Sequence, residues 1–247
     1  MAQKIKSDFM DSDLSKYWKG KRKVSKLAFE YIQKMDKEAF RKTLQSKNID
    51  IFPTICFSRK IGVGALELAE KLAKQLGYRV VDREIIEHLS EETELSRKSI
   101  ATFDERYPGI IREFLGRILG DRLFDLNEYG RQLFVTSSFL AHADQTIFVG
   151  RGIHLMLPRN RVFAVRCISS MEYRIEHLAK SLKVSSSKAR RIIQQADAEQ
   201  KEFFSRVHGK DLASSEEFDL ILNLDYIQDM NVAVDVIKTL FMSRFKK

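Results

Sequence analysis

The segment Ile55-Cys56-Phe57-Ser58-Arg59-Lys60-Ile61-Gly62-Val63-Gly64-Ala65-Leu66-Glu67 leaves this chain few folds to choose from. An apolar strand runs into a turn holding two glycines, and apolar residues then recur at 65, 68, 69, 72, 73 and 76. That spacing places them on one side of a helix. Gly77 ends the helix, because glycine takes the left-handed conformation of a helix C-terminus at little cost. Tyr78-Arg79-Val80-Val81-Asp82 then reads as a second strand. Strand, turn, helix and strand within about thirty residues make a phosphate-binding βαβ unit. The glycines let main-chain N–H groups aim at an anion and let it come close. The usual G-x-x-x-x-G-K-[ST] wording is absent, and no lysine follows Gly64. A nucleotide site is expected, with its chemistry left open.

Downstream, the pattern keeps alternating. Residues 83–91 and 96–105 read as short helices, Pro108-Gly109 breaks the pattern, and 110–126 and 129–142 read as longer helices. Thr146 to Val149 is a buried strand that ends at Gly150-Arg151-Gly152. Val162 to Cys167 is another strand, Ser170 caps a helix to about Leu182, and Ser185 to Ser187 cap a long polar helix through about Val207. Serine favours that position because its hydroxyl accepts from an unpaired N–H of the first turn. Phe218 to Leu224 makes the last strand and Met230 to Phe245 the closing helix. Strands alternating with helices imply a parallel sheet covered on both faces.

Charge divides the chain. Residues 1–50 carry 13 Lys+Arg against 7 Asp+Glu, so +6 of the total +9 lies there and the remaining 197 residues hold +3. Helical spacing at Leu27, Ile32, Met35, Phe40 and Leu44 makes this leading segment a basic helical extension, with the main domain at 51–247. Its basic run beside Tyr17 and Trp18 suits either a solvated helix face or an anionic surface. A protein partner for it is also open. The near-balanced body argues against nucleic acid as the ligand. No run approaches the roughly 18 apolar residues of a membrane span. The first residues lack an apolar export segment, and Cys56 and Cys167 both lie in strand-like runs. Buried free thiols and a cytoplasmic setting are expected.

Six separated pieces then resemble the cytidylate kinase-like family of P-loop nucleoside monophosphate kinases. They are Ser58-Arg59 with Gly62-Val63-Gly64; Val81-Asp82-Arg83-Glu84-Ile85-Ile86; Phe103-Asp104-Glu105-Arg106; Val149-Gly150-Arg151-Gly152; Tyr173-Arg174-Ile175; and Asp197 leading to Gly209-Lys210-Asp211. They stand in the family's order from about 52 to 243. The resemblance implies a three-layer α/β P-loop kinase fold with a parallel five-stranded sheet in the order 2-3-1-4-5. It also implies a helical monophosphate-binding region over 83–145 and a short lid within about 174–211. The reaction implied is transfer of the γ-phosphoryl group of ATP, with Mg2+, to a nucleoside monophosphate such as CMP or dCMP. Ser58, Arg59, Gly62, Val63, Gly64, Ala65 and Leu66 would then hold the nucleotide.

By the same resemblance Arg151 holds the acceptor phosphate, a task suited to the bidentate guanidinium fork. Asp82 lies between phosphate loop and acceptor, or caps the helix that follows. Asp197 meets the acceptor base with Gln200 nearby, or is a solvated helical acid. Arg190 and Arg191 neutralise transferred charge from the lid, or are surface charges. Arg174 matches a family arginine, or pairs at i,i+4.

The chain also departs from the family pattern. Val63 stands for a hydroxyl and Leu66 for a cation. Glu67 takes the place of a metal-binding hydroxyl, so it either binds magnesium or repels ATP. Gln194, Gln195 and Gln200 stand where basic residues are usual. Two functions follow: an active kinase, or a catalytically degenerate nucleotide-binding sensor or interaction module on the same fold.

Overall fold

A computed structural model describes residues 51–83, 86, 128–211, 213–227 and 229–245. The extension at 1–50 and the helices expected within 84–127 lie outside the described residues. Five strands form one parallel sheet: β1 (Thr54–Arg59), β2 (Arg79–Asp82), β3 (Thr146–Val149), β4 (Val162–Ile168) and β5 (Leu220–Asn223). Their order is β2-β3-β1-β4-β5, as the resemblance implied. The helices are α1 (Ala65–Leu76), α2 (Glu128–Ala143), α3 (Met171–Leu182), α4 (Ser186–His208) and α5 (Met230–Phe245).

β1 is central because both of its faces are apolar. Ile55 and Phe57 point into a cluster with Leu68, Ala69 and Leu72 of α1 and Val234, Ile237 and Phe241 of α5. Cys56 points the other way, into a cluster with Leu133 and Phe134 of α2 and Phe203, Phe204 and Val207 of α4. Successive residues of a strand serve opposite faces, so one strand feeds both layers. Each fully buried Leu or Phe contributes about 1.5–3 kcal/mol over an exposed one. A third cluster, with Ile61, Ile175, Leu178, Ala189 and Ile193, joins α3 and α4 to the turn after β1. Both cysteines are buried in strands, Cys56 in β1 and Cys167 in β4, and burial pushes both thiols up.

Helix ends follow the sequence. Gly64 and Gly77 take φ of 87 and 72 at the two ends of α1. Ser170 Oγ accepts from Tyr173 N at 3.2 Å to start α3, and Ser185 Oγ accepts from Lys188 N at 3.3 Å to start α4. Ser170 also donates from N and Oγ to Asp225, at 2.7 and 2.8 Å, which ties α3 to the loop after β5. The register aligns Phe57 with Val149 and Asp82 with Val149. The carboxyl ends of β1, β2 and β3 therefore lie side by side, where open parallel sheets bind ligands.

Candidate phosphate-binding site

The turn from Lys60 to Gly64 leaves β1 and enters α1. Gly62 and Gly64 hold φ of 84 and 87, and residues 61 to 65 are all buried. Among the described residues, the N–H groups from Gly62 to Glu67 meet no protein acceptor, and the first such bond of α1 is Leu68 N to Gly64 O at 3.1 Å. Buried main-chain N–H groups without a partner are costly. An anion at a helix N-terminus relieves that cost.

α3 and α4 hold the turn from outside. Arg174, buried on α3, donates from Nε to Ile61 O at 2.8 Å and from its fork to both oxygens of Asp197 on α4, at 2.9 and 2.6 Å. It does not pair at i,i+4. Lys60 Nζ stands 3.6 Å from Asp197 Oδ2. Gln200 Nε2 donates to Arg59 O at 3.1 Å. Between these elements lies a cleft of about 670 Å³, whose lining includes Ser58, Arg59, Lys60, Arg166, Gln200 and Lys201. Ser169 Oγ, also on the cleft, is buried and meets no acceptor or donor among the described residues.

A smaller pocket of about 30 Å³ adjoins it, lined by Arg59, Arg83, Gly150, Arg151, Gln200, Phe203 and Phe204. Arg59 and Gln200 line both cavities. The Arg151 guanidinium lies 4.0 Å over the Phe203 ring. Burial, followed by the guanidiniums of Arg83, Arg59 and Arg206, pushes the Arg151 pKa down, with Glu199 acting the other way. A guanidinium nonetheless keeps its proton. Charge so crowded and desolvated is stabilised by a bound anion.

The structure thus brings Arg59, Arg151, the turn and Gln200 together, with Asp82 at the adjoining end of β2. Asp197 borders the cleft with both oxygens on Arg174. Leu66 packs against the α1–sheet cluster and the α3–α4 cluster. Glu67 faces His177 Nε2 at 3.4 Å, and that contact, outweighing partial burial, holds its carboxyl below the usual range. No group of three or more His, Cys, Asp or Glu side chains suited to a metal forms among the described residues. Arg190 and Arg191 are exposed on α4 and line neither cavity. Arg83, Lys60, Arg166 and Lys201 were not singled out from sequence. Adjacency to Asp82 at a strand end was a signal for Arg83, and membership of the glycine turn was one for Lys60.

The model of the cytidylate kinase-like family matches residues 54–226. The chain belongs to this family. No curated protein matches the sequence. A solved structure of an uncharacterized protein from Eubacterium ventriosum superposes with a TM-score of 0.56 at 16% identity, covering 77% of this chain and 98% of that one. Shikimate kinase from Bacteroides thetaiotaomicron gives 0.40 at 14% identity, covering 76% and 96%. A gluconokinase from Sinorhizobium meliloti gives 0.40 at 13%, covering 78% and 97%. No helix among the described residues is long and apolar enough to cross a membrane.

Proposed function

We propose that this member of the cytidylate kinase-like family transfers the γ-phosphoryl group of ATP to the phosphate of a nucleoside monophosphate, with CMP or dCMP as acceptor. One observation carries the reading: Arg59, Arg83 and Arg151 converge on a pocket beside a turn whose N–H groups meet no protein acceptor among the described residues. Phosphoryl transfer asks for positioning and charge neutralisation rather than covalent help. The turn would hold the triphosphate. Arg83 and Arg151 would hold the acceptor's phosphate so that its oxygen attacks the γ-phosphorus as the bond to the ADP oxygen breaks. Arg59, on both cavities, would neutralise the group in flight. Magnesium, bound with the nucleotide, would neutralise phosphate charge while taking few protein ligands; Glu67, in the first turn of α1, or Asp82, at the end of β2, would be the carboxylate to meet it. The choice of CMP rests on family membership alone.

The second reading, a nucleotide-binding module without efficient turnover, is favoured by Leu66 lying in an apolar seam and by the engagement of Asp197 with Arg174. A coupled assay with ATP, magnesium and each monophosphate separates the two. ADP release driven by one monophosphate supports the kinase. ATP binding without ADP release from any acceptor supports the module.

A further inference from the structure

The arginine pocket is braced by one helix in a way that neither family membership nor the sequence explains. After β3, Gly150, Arg151 and Gly152 hold φ of 100, 55 and 67, three consecutive left-handed residues with a bulky side chain in the middle. An L-residue resists that conformation unless its surroundings impose it. His208, the last residue of α4, meets the Arg151 carbonyl from Nε2 at 3.0 Å. A carbonyl only accepts, so the imidazole carries its proton on Nε2 and donates. The ring reaches that position only because residue 152 is glycine: a Cβ there would lie 2.5 Å from Nε2. On the same helix Gln200 donates to the Arg59 carbonyl at 3.1 Å. Between them Phe203 carries the Arg151 guanidinium on its ring face.

We infer that Gln200 and His208 are positioning residues for the anion pocket, each fixing the main chain of one arginine so that α4 aims both guanidiniums into the same pocket. The helix holds Arg151 at both ends, carbonyl and guanidinium, and Arg59 at its carbonyl. The glutamine at 200 therefore acts through Arg59. The inference rests on the pocket's role as a phosphate site, as proposed above.

The test uses the full chain with inorganic phosphate and ATP as separate calorimetric probes. His208→Phe keeps the ring packed against Phe204 and removes the donor; His208→Gln restores a donor; Gln200→Leu removes the other. Loss of one neutral hydrogen bond predicts a phosphate Kd about three- to ten-fold higher in His208→Phe and in Gln200→Leu. His208→Gln is expected nearer wild type, with ATP affinity of the two His208 variants unchanged. In turnover, KM for the monophosphate rises more than kcat falls in His208→Phe, which acts through Arg151, while kcat falls more than KM rises in Gln200→Leu, which acts through Arg59. A merely structural role would lower Tm and ATP affinity together, without rescue by His208→Gln, and that result overturns the inference. Wild-type phosphate affinity in both donor-less variants also overturns it, as does a wild-type protein that binds no phosphate. Should His208→Phe not fold, His208→Leu, a smaller side chain that also lacks the donor, takes its place. If no monophosphate is phosphorylated yet the donor-less variants still lose phosphate affinity, the positioning role stands and the kinase reading falls.

Discussion

Replacing Gly62 and Gly77 by alanine, one at a time, tests how tightly α3 is seated on the phosphate turn. Both glycines are left-handed, with φ of 84 and 72, so each alanine meets the same backbone penalty, about 1 kcal/mol. Their surroundings differ. Nothing lies within 4 Å of a Cβ at 77, whereas a Cβ at 62 would stand 2.7 Å from the Arg174 carbonyl oxygen and 3.2 Å from Arg174 Cβ. Those atoms belong to helix backbone or its first side-chain carbon, and Arg174 is itself anchored on Ile61 O and Asp197. Relief therefore requires α3 to shift, and such overpacking costs about 1–3 kcal/mol.

The expected losses are about 1 kcal/mol for Gly77→Ala and about 3 kcal/mol for Gly62→Ala, the backbone penalty included. For a chain of this length they lower Tm by about 2–4 °C and about 6–12 °C. Thermal unfolding followed by circular dichroism reads both. ATP titration adds a second axis, because only Gly62→Ala disturbs the turn and should weaken binding. Equal Tm losses in the two variants would refute the claim that α3 presses on Gly62.

Three further outcomes are expected. Phosphate at a hundred times its Kd should stabilise the wild type by about 2.7 kcal/mol, and Arg151→Ala should abolish that shift while leaving the ligand-free Tm within a few degrees; an undiminished shift removes Arg151 from the site. His154 is buried and its pKa is pushed down to about 4 by burial foremost, with Glu217 too far, at 3.7 Å, for a hydrogen bond. It stays neutral in the fold while the unfolded chain takes up a proton, so stability falls as pH drops from about 6.5 toward 4. His142 and His208, also pushed down by burial, act in the same direction. His154→Gln should reduce the slope of urea-unfolding free energy against pH in that window by about 1 kcal/mol per pH unit; an unchanged slope excludes His154 as a source. Leu66→Lys, which restores a cation to the turn in sequence, should destabilise the fold by about 1–3 kcal/mol without improving ATP affinity, because a lysine there must thread its charge out of an apolar seam. A ten-fold gain in ATP affinity would show that position 66 faces the phosphate.

Leu66 illustrates where the sequence stopped being informative. The apolar set at 65, 68, 69, 72, 73 and 76 defined the α1 face on the sheet, and both glycine ends of that helix were legible because a left-handed residue leaves a compositional mark. Position 66 lies off that face, so its leucine read as a lost charge. α3, which covers it, is displaced by more than a hundred residues, and periodicity in α1 carries no trace of it. The same holds for Arg174–Asp197, Gln200 with Arg59 O, and His208 with Arg151 O: each helix was legible, its rotation against the turn was not. The closing helix, read as Met230 to Phe245, has those bounds. The last strand is shorter than read, Leu220–Asn223, because Phe218 is drawn into a 3-10 turn through Phe218 N to Ser215 O at 3.2 Å.

The cations around the turn also explain why a missing lysine need not leave a bound triphosphate uncompensated. Arg59, Lys60, Arg166 and Lys201 line the cleft, while Asp197, its acid, is matched by Arg174. Such a field favours bound and transition states alike, and uniform binding of that kind lowers KM without raising kcat. On the kinase reading, turnover depends on a charge that meets the phosphoryl group in flight, and Arg59, which lines both cavities, is the arginine proposed for it. Arg59→Lys keeps the charge and loses the planar fork. It should lower kcat about 10- to 100-fold with KM for ATP nearly unchanged, the pattern of an interaction made in the transition state. A higher KM at constant kcat would instead make Arg59 one more cation of the binding field. The phosphoryl group would then cross between the cavities without its help.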